Sequence, residues 1–587
     1  MRKAEKMRIA AACGAGALLF TIVSARLVDL HVAKHAEYSR IAAEKNTVRQ
    51  NIPAKRGLIL DRNGDKLAVN LPVHTVFADA SHIKDADAVS ELAARFLDLK
   101  KAEVAQKIAT GGKYLVLKRK VPDETVLNLQ AEMQEQNLKG IYTEVDSIRA
   151  YPNGSMLGHV LGYLNHERKG VQGIERTMEK ALAGEDGFRF TERDRTGREI
   201  VLYRGQEDEP QHGKNIRLTI DMGLQAILEE EIDATYRNLK PNTVNAIMVD
   251  PKTGEILAMA SRPCFDPNKP GGTDPETMKN RSIIDMVEPG STFKIVVAAG
   301  ALNEGKVNES SSIFCENGRF FYGGRTLKDH HGYGHMSVHE ILVKSSNIGC
   351  AKMAMMMGGE KFHEYVKRFG FGDRLGIELP GEIPGLVHPP SRWDKLTITR
   401  MPMGHSVAVT PLQITMGMAV IANGGRLMAP QIVKSVEDQG GQIDRHQPKV
   451  VREVVPKKTA DFISNALAAV TQPGGTATFA RVNGFNVAGK TGTAQKVSDK
   501  GGYAPGKYVV SFVGYMPAED PRFVCLVMVD DAQVSSGLNY GGLVAAPIFS
   551  RIAERSARHL DLVPTEPAIA LQPDPITASL DAEEATR

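Results

Sequence analysis

The chain contains little cysteine and almost no tryptophan. Of its 587 residues, only five are cysteines and one is a tryptophan. No two cysteines form a Cys-x-x-Cys pair, and no cluster of cysteines and histidines has the spacing of zinc ligands. These absences exclude a disulfide-stabilised miniprotein and give no indication of a metal site, and any disulfide would be incidental.

The sequence also lacks a strong excess of charge of either sign. It has 73 Lys and Arg residues against 69 Asp and Glu residues, which gives a net charge of +4. This balance gives no reason to expect nucleic acid as a partner. With 42% hydrophobic and 24% charged residues, the composition is that of a folded protein with a real core, and the length predicts several domains.

The first thirty residues have the pattern of a membrane anchor. Basic residues at positions 2, 3, 6 and 8 precede an apolar run, Ile9–Ala25, and the apolar character continues to Val32. Basic residues ahead of such a run favour a cytoplasmic N-terminus. We predict a cytoplasmic tail over 1–8, a transmembrane anchor over 9–30 and export of everything that follows. The alternative is a signal peptide cleaved after Val23–Ala25, which also exports the remainder.

Three regions follow the predicted anchor. Residues 31–210 mix charged residues with short apolar runs and turn signals. Residues 216–558 begin a new and more regular pattern, with no internal repeat. The last residues, 559–587, are rich in proline and acidic side chains, which predicts a disordered tail.

The region 216–558 has strand-like runs near both of its ends. Asp221 can cap a helix, because apolar residues after it recur on one helical face. The strand-like runs are Ala246–Val249, Ile256–Ala260, Val509–Tyr515 and Phe523–Val529. The first two flank turn residues and predict a β-hairpin, and helical stretches lie between the two pairs. One sheet that collects strands from both ends of the region is an α+β arrangement.

A candidate nucleophile lies in the segment Pro289–Lys294. Pro-Gly makes a turn and the following residues predict a helix, so Ser291 and Lys294 lie on one face of its first turn. A serine hydroxyl needs a base, and a lysine serves as one only if burial or a nearby cation lowers its pKa. A lone Ser-x-x-Lys occurs by chance about once or twice in a chain of this length, and Ser81–Lys84 is such a decoy.

Two further polar segments follow the candidate nucleophile. In Ser345–Asn347, the only Ser-x-Asn of the chain, the hydroxyl could relay a proton and the amide could hold a substrate carbonyl, although both residue types also cap helices. Lys490–Thr493 predicts a strand edge that presents a cation and hydroxyls, and its glycine lets an extended peptide approach. A second Lys-Thr-Gly, at Lys252–Gly254, lies in the predicted hairpin turn. We interpret it as a solvent-exposed turn and not as part of a site.

The same lysine belongs to a competing pattern. Gly484–Thr491 matches the phosphate-loop sequence G-x-x-x-x-G-K-[ST], which requires a helix after the Lys-Thr. Here glycines, a proline and a predicted strand follow instead. This context argues against nucleotide binding.

The order of the three segments decides the interpretation. Ser-x-x-Lys, Ser-x-Asn and Lys-Thr-Gly-Thr follow one another after the predicted anchor. This ordered set is the signature of β-lactamases and penicillin-binding proteins. Each element is weak alone, whereas the ordered set is specific.

Nearly the whole chain resembles a class B penicillin-binding protein. Outside the three motifs, the likeness is carried by Arg56–Gly64, Arg149–Pro152, Gly170–Glu175, Leu218–Asp221 and Val409–Gln413. The first three are similar to motifs of the family's pedestal domain, and no glycosyltransferase domain precedes them, which argues against class A. The resemblance favours the FtsI-type septal branch, with Gly404–Ser406 standing where the family has Gly-Tyr-Gly.

The resemblance implies a fold and a division into domains. It implies an N-terminal transmembrane helix, an elongated mixed pedestal (dimerisation-type) domain over 31–210, and a transpeptidase domain over 216–558. The transpeptidase domain would have a penicillin-binding, β-lactamase-like fold, an antiparallel sheet with helices.

The resemblance also implies roles for the site residues. Ser291 would attack the penultimate D-alanine of a peptidoglycan stem peptide, with Lys294 as the base and Ser345 and Lys490 helping to protonate the leaving D-alanine. An amine of a neighbouring stem would then take the acyl group. Asn347 would complete the catalytic set by holding a substrate carbonyl, and the substrate-binding residues would be Thr491, Gly492 and Thr493. The backbone N–H groups of Ser291 and Thr493 would form the oxyanion hole. β-Lactams would stall on Ser291, and no metal or organic cofactor is implied.

Partners and location follow from the same resemblance. The chain would be a single-pass inner-membrane protein with a periplasmic catalytic domain, and it would work beside an FtsW-like membrane glycosyltransferase and other divisome proteins. The alternatives are an elongation-type transpeptidase, a D,D-carboxypeptidase, a β-lactamase, and a β-lactam sensor or inactive scaffold. No recognisable Glu-x-x-x-Asn deacylation loop lies between Asn347 and Lys490, which disfavours a β-lactamase. No element of the three motifs is lost, which disfavours an inactive scaffold, and a sensor would carry a large signalling part that is not seen.

Overall fold

The structure is a computed structural model that describes residues 3–38, 47–193, 199–438, 440–497, 502–534, 539–569 and 571–572. The chain divides into two compact units. The smaller unit comprises Met1–Arg56 and Ala183–Gly213, and the larger one comprises Gly57–Leu182 and Lys214–Arg587.

The smaller unit contains the predicted anchor. An α-helix, Lys3–Val28, continues into a π-helical turn, Asp29–Ala33, and none of the helix residues is buried. Within the described residues it is the one helix long and apolar enough to cross a membrane, with a mean hydropathy of 1.8. The same unit has an antiparallel sheet in which Gly187–Arg193 pairs with both Thr47–Ile52 and Glu199–Asp208.

The larger unit contains two main sheets, and the first joins residues of both predicted domains. In the described part of the chain its strands are, in order, Ile443–Arg445, Val433–Glu437, Asn215–Leu218, Ile59–Leu60, Lys66–Ala78 and Leu115–Pro122, with Ile141–Ala150 also paired to Lys66–Ala78. Helices Ala86–Leu97, Lys101–Ala109 and Asp123–Glu135 pack on its far end around a separate apolar core. Strands on either side of the predicted boundary at 210–216 therefore share one sheet, and the domain bounds stay a prediction.

The second sheet supports the candidate site. Among the described residues its strands are, in order, Ile256–Arg262, Thr243–Val249, Phe523–Asp530, Tyr503–Met516 and Ala488–Val497, all antiparallel. The predicted hairpin and the predicted gathering of strands from both ends of the region are confirmed, as is the α+β class. We call Ala488–Val497 the edge strand because it ends this order.

Helices cover both faces of the central part of this sheet, while the first residues of Tyr503–Met516 remain exposed or half-buried. Met222–Leu239 and Ala545–His559 pack on one face, and Pro411–Ala422 packs on the other. The carboxylate of Asp221 accepts hydrogen bonds from the N–H groups of Gly223 (3.0 Å) and Leu224 (3.1 Å), which confirms it as the predicted cap.

Shorter elements complete the larger unit. The other helices are Gly158–Leu161, Gly173–Thr177, Glu179–Leu182, Arg281–Ile284, Lys294–Asn303, Val338–Val343, Asn347–Met357, Gly359–Arg368, Thr397–Arg400 and Lys457–Thr471. The 3₁₀ turns are Ala80–His82, Pro275–Met278, Gly290–Phe293, Glu316–Gly318, Pro390–Arg392, Met401–Met403 and Thr478–Ala480. Small antiparallel pairs join Ser312–Phe314 to His335–Ser337, Arg319–Tyr322 to Arg325–Lys328, and Arg426–Met428 to Val450–Glu453.

The predicted disordered tail, 559–587, begins with residues that are held in place. The N–H groups of Thr565 and Glu566 donate to the carbonyl of Gly484 at 2.9 and 3.1 Å, and the N–H of Ile569 donates to Asn483 Oδ1 at 2.9 Å. These bonds occupy backbone groups that a free chain would give to water, and the disordered tail over 559–587 stays a prediction. Residues 573–587 lie outside the described residues.

Candidate active site

Ser291 lies in a tight turn that packs against the edge strand. It is the second residue of the 3₁₀ turn Gly290–Phe293, which leads into the helix Lys294–Asn303. Gly290 has φ +57°, and a Cβ at that position would approach the backbone N and O of Thr493 to 3.3 Å. Glycine therefore permits both the left-handed conformation and the close approach of the turn to the strand.

Lys294 is buried and binds the second motif. Its Nζ donates to the carbonyl of Ser345 (2.5 Å), to Ser345 Oγ (3.0 Å) and to Asn347 Oδ1 (2.7 Å). The fold thus unites Ser-x-x-Lys with Ser-x-Asn across more than fifty residues. Within the described chain, no hydrogen bond joins the Ser291 hydroxyl to Lys294, so a proton transfer between them requires one of these three bonds to give way.

Lys490 reaches the same hydroxyl from the edge strand. This lysine is also fully buried, and its Nζ donates to Ser345 Oγ at 2.9 Å. Ser345 has φ +58°, a left-handed conformation that is uncommon for a residue with a side chain. The Ser345 hydroxyl consequently bridges two lysine side chains. We call Lys294 and Lys490 the lysine pair and Ser345 its bridge.

Burial makes the charged form of both lysines costly. It lowers the pKa of Lys294 below the usual lysine range, and the nearby charge of Asp329 offsets only part of this effect. Burial together with the charge of Lys294 lowers the pKa of Lys490 to about 7. A pair of this kind titrates as a unit, and it loses a proton as the pH rises through neutrality, which leaves one lysine in the neutral form.

The second motif both caps a helix and contacts Lys294 of the candidate active site. Ser346 Oγ accepts from the N–H of Gly349 at 3.0 Å and so caps the helix Asn347–Met357, while Ser345 and Asn347 on either side of it contact Lys294. The helix-cap interpretation is therefore correct for Ser346, whereas the catalytic roles of Ser345 and Asn347 stay a prediction. The Asn347 amide also donates to the carbonyl of Lys328 at 2.9 Å, which leaves one N–H of that amide for a ligand.

Asp329 anchors this motif, and the sequence patterns did not point to it. Its carboxylate accepts from Ser346 Oγ (2.6 Å) and from the backbone N–H groups of Asn347 (2.5 Å) and Ile348 (3.1 Å). A carboxylate at a helix N-terminus is favoured by the helix dipole. It lies 18 residues before Asn347, on a separate loop, so no local spacing reveals it.

The edge strand places the third motif beside the turn. Lys490, Thr491, Gly492 and Thr493 face Val513, Phe512, Ser511 and Val510 of the neighbouring strand. A Cβ on Gly492 would lie 2.4 Å from Ser511 Oγ and 3.0 Å from the carbonyl of Pro289, so only glycine fits there. The Thr493 hydroxyl accepts from the N–H of Gly541 (3.1 Å), and the Thr491 and Thr476 hydroxyls lie 3.4 Å apart.

The competing motifs are separate from this site. Lys490 and Thr491 lie inside a strand, so the phosphate-loop interpretation, which needs a helix there, is wrong. Ser81 lies in the turn Ala80–His82 and donates to Asp79 at 2.5 Å. Lys252–Gly254 forms the hairpin turn, as predicted.

These features define the class of site. A serine at the start of a helix, a buried lysine of lowered pKa, a bridging hydroxyl and an open strand edge together suit transfer of an acyl group from a peptide. No group of three or more metal-ligating side chains occurs in the part of the chain that the structure describes.

Comparison with known families agrees with this class. The family model for the penicillin-binding protein transpeptidase domain matches residues 244–554, and that for the penicillin-binding protein dimerisation domain matches residues 51–218. The chain therefore belongs to the class B penicillin-binding proteins, and it is a transpeptidase of that family.

Individual relatives cover almost the whole chain. It is 34% identical to stage V sporulation protein D of Bacillus subtilis over 94% of this chain and 85% of that protein. It is 32% identical to the peptidoglycan D,D-transpeptidase FtsI of Escherichia coli over 95% of this chain and 92% of that protein. The crystal structure of penicillin-binding protein 3 from Mycobacterium tuberculosis in complex with aztreonam is similar with a TM-score of 0.68 and 26% identity, covering 89% of this chain and all of that one (100%).

Removing the Asp329 carboxylate tests the anchor of the second motif. We expect Asp329→Ala to slow acylation by a fluorescent penicillin by about 10- to 100-fold, because a shift of the order of 1 Å in Ser345 and Asn347 misplaces the groups around Lys294. Asp373→Ala is the matched control, because it removes a carboxylate paired with Lys367 on the surface of the same region. Equal acylation rates for the two variants would show that Asp329 does not hold the motif.

Proposed function

We propose that this chain is a peptidoglycan D,D-transpeptidase that carries the acyl group on Ser291. The observation that carries the proposal is the buried lysine pair and its bridge, directly behind the turn of Ser291. A neutral lysine in a dry pocket is a base strong enough to accept a serine proton near neutral pH.

In the acylation step, Lys294 accepts the Ser291 proton as Ser291 Oγ attacks the carbonyl of the penultimate D-alanine. The tetrahedral oxyanion is held by the backbone N–H groups of Ser291 and Thr493, which belong to the closely packed turn and edge strand. The carbon–nitrogen bond then breaks. The leaving amine of the terminal D-alanine takes a proton from the Ser345 hydroxyl, which is replenished from the lysine pair, and an ester on Ser291 remains.

In the transfer step, an amine of a second stem peptide attacks this ester. The proton that the amine gives up passes to the lysine pair, the ester bond breaks, and Ser291 Oγ is protonated again. The new amide is the cross-link. A β-lactam enters by the same first step, and its acyl group stays on Ser291 because its leaving amine remains tethered.

The edge strand provides the substrate platform. An extended stem peptide adds to its open side, Gly492 lets the two backbones approach, and Thr491 and Thr493 donate their hydroxyls to the terminal carboxylate. Asn347 contributes its remaining N–H to a substrate carbonyl. No metal or organic cofactor takes part in this scheme.

We further infer a single-pass inner-membrane protein with the site in the periplasm, acting in septal wall synthesis with an FtsW-like glycosyltransferase and other divisome proteins. The N-terminal apolar helix and the preceding basic residues support this topology. The similarity to FtsI supports the septal role. The similarity to stage V sporulation protein D makes wall synthesis during sporulation a second candidate function.

Replacement of the nucleophile tests the acyl-enzyme directly. We expect purified membranes that contain Ser291→Ala to show no labelling of this chain by fluorescent penicillin, because the other hydroxyl of the turn, that of Thr292, is buried and donates to the carbonyl of Pro289 at 2.8 Å. Ser81→Ala, which alters the decoy Ser-x-x-Lys, is expected to label like wild type. Labelling that survives Ser291→Ala contradicts the mechanism.

The pH dependence of acylation tests the lysine pair. Since the pKa of Lys490 is lowered to about 7, raising the pH through that value removes a proton from the pair and supplies the neutral base. The acylation rate should therefore rise with pH around neutrality and level off above it. Lys490→Met removes a repelling charge, which raises the pKa of Lys294, so the rate should fall and its midpoint should move to higher pH.

The control for this experiment is Lys496→Met, on the same strand. Lys496 pairs with Asp530 at 2.7 Å, so its loss should leave the midpoint of acylation unchanged. A rate that falls with rising pH, or an unmoved midpoint in Lys490→Met, would contradict the proposed base.

The septal role is tested by location. A fluorescently tagged copy should concentrate at mid-cell in dividing cells, and the tagged Ser291→Ala variant should do so as well, because recruitment does not require acyl transfer. An even distribution along the side wall would instead assign the chain to elongation, and appearance only in spores would favour the sporulation role.

A further inference from the structure

Three polar side chains from separate parts of the chain meet beside the turn that carries Ser291. Glu288 Oε2 accepts a hydrogen bond from His405 Nδ1 at 2.8 Å and from the Tyr503 hydroxyl at 3.1 Å. Tyr503 Oη and His405 Nδ1 lie 3.0 Å apart, and the two rings meet edge to face. We call Glu288, His405 and Tyr503 the clamp. None of them belongs to the lysine pair and its bridge.

The charges within the clamp are complementary. Burial alone would raise the pKa of the Glu288 carboxyl, but the bonds from His405, Ser406 and Tyr503 outweigh it and hold that pKa below its usual range. Burial and the Glu288 charge raise the pKa of Tyr503 to about 12, so its hydroxyl remains a donor at neutral pH. A carboxylate acceptor therefore faces two donors, as charge-assisted hydrogen bonds require.

Backbone contacts connect the clamp to Ser291. The second oxygen of Glu288 accepts from the N–H of Ser406 at 2.9 Å. Val287 exchanges two backbone hydrogen bonds with Val409, at 3.0 and 2.9 Å. The segment just before Ser291 is thus joined to 405–409 by side-chain and backbone bonds together, and its position is fixed from that side.

Tyr503 connects the clamp to the edge strand. It is the first residue of Tyr503–Met516 and is paired with Val497 at the end of the edge strand. Through Glu288, this hairpin is tied to the segment that leads into Ser291. The clamp therefore links the two elements whose N–H groups, those of Ser291 and Thr493, form the proposed oxyanion hole.

We infer that Glu288, His405 and Tyr503 are positioning residues for acylation, which set the separation between the Ser291 turn and the edge strand. The inference rests on the proposed role of Ser291 and adds three residues to it. His405 distinguishes this chain within the family, because it occupies the position at which the family has the tyrosine of Gly-Tyr-Gly. An imidazole offers Glu288 an N–H donor in place of a phenol hydroxyl.

The experiment measures acylation of the purified full-length chain by a fluorescent penicillin, with separate determination of the limiting acylation rate and the half-saturating concentration. The variants are Glu288→Gln, Tyr503→Phe, their double variant, His405→Leu and His405→Asn. Tyr142→Phe is the matched control, because it removes a similarly exposed tyrosine that is also hydrogen-bonded to a histidine, His82, at 2.7 Å. Thermal unfolding is recorded for every variant.

If the clamp positions the turn, each single variant lowers the limiting rate by about 10- to 100-fold, with the half-saturating concentration and the melting temperature close to wild type. The double variant is no slower than the slower single variant, because both disrupt one unit. His405→Asn, which keeps a donor near the Nδ1 position, recovers much of the rate that His405→Leu loses. Tyr142→Phe reacts like wild type.

Three results would overturn the inference. They are wild-type rates in Tyr503→Phe and Glu288→Gln, losses that add in the double variant, or slowing that appears only together with a lowered melting temperature. Ser291→Ala, run in parallel, separates this failure from failure of the proposed function. If Ser291→Ala still reacts, the nucleophile is wrong, whereas if it is inert and the clamp variants react normally, only the clamp is wrong.

Discussion

Two buried lysines that share one serine hydroxyl are the interaction on which the rest of the site depends. Lys294 and Lys490 both donate to Ser345 Oγ, at 3.0 and 2.9 Å, and no carboxylate of the described residues is hydrogen-bonded to either one. Two ammonium groups so placed repel each other, and the dry surroundings strengthen that repulsion. The fold tolerates the pair because one member can give up its proton, and the same cost leaves that lysine unprotonated and available as a base near neutral pH.

The surroundings of the pair hold it in place without neutralising it. Asp329 is the nearest anchoring carboxylate, but its hydrogen bonds go to Ser346 and to the N–H groups at the start of the helix Asn347–Met357. It fixes the backbone on which Ser345 and Asn347 stand. On the other side, Glu288 fixes the segment before Ser291 in a similar way. Both carboxylates hydrogen-bond to groups other than the two lysines, and the charge of Asp329 offsets only part of the effect of burial on the pKa of Lys294.

Much of this arrangement could be predicted from the sequence. The contacts that could not be predicted were missed for one common reason. Strand-like runs at both ends of 216–558 predicted the sheet, Asp221 predicted a helix start, and the order of three short motifs predicted which side chains would meet. Asp329, Glu288, His405 and Tyr503 were not predicted to act near them, because their partners lie far away along the chain and polar residues on loops have no periodicity. The sharing of one sheet by Ile59–Leu60, Asn215–Leu218 and Val433–Glu437 was missed for the same reason, and so was the attachment of Thr565–Ile569 to Asn483 and Gly484.

The strand order of the second sheet has a consequence for how the protein is made. Thr243–Val249 pairs on one side with Ile256–Arg262, which follows at once, and on the other with Phe523–Asp530, which is synthesised more than two hundred residues later. Until then one edge of that strand has no partner, and an unpaired apolar edge is a template for aggregation. Non-local pairing of this kind also folds slowly. Lys490 arrives with the same late segment, so a partly synthesised chain carries Ser291 and Lys294 without the second lysine of the pair.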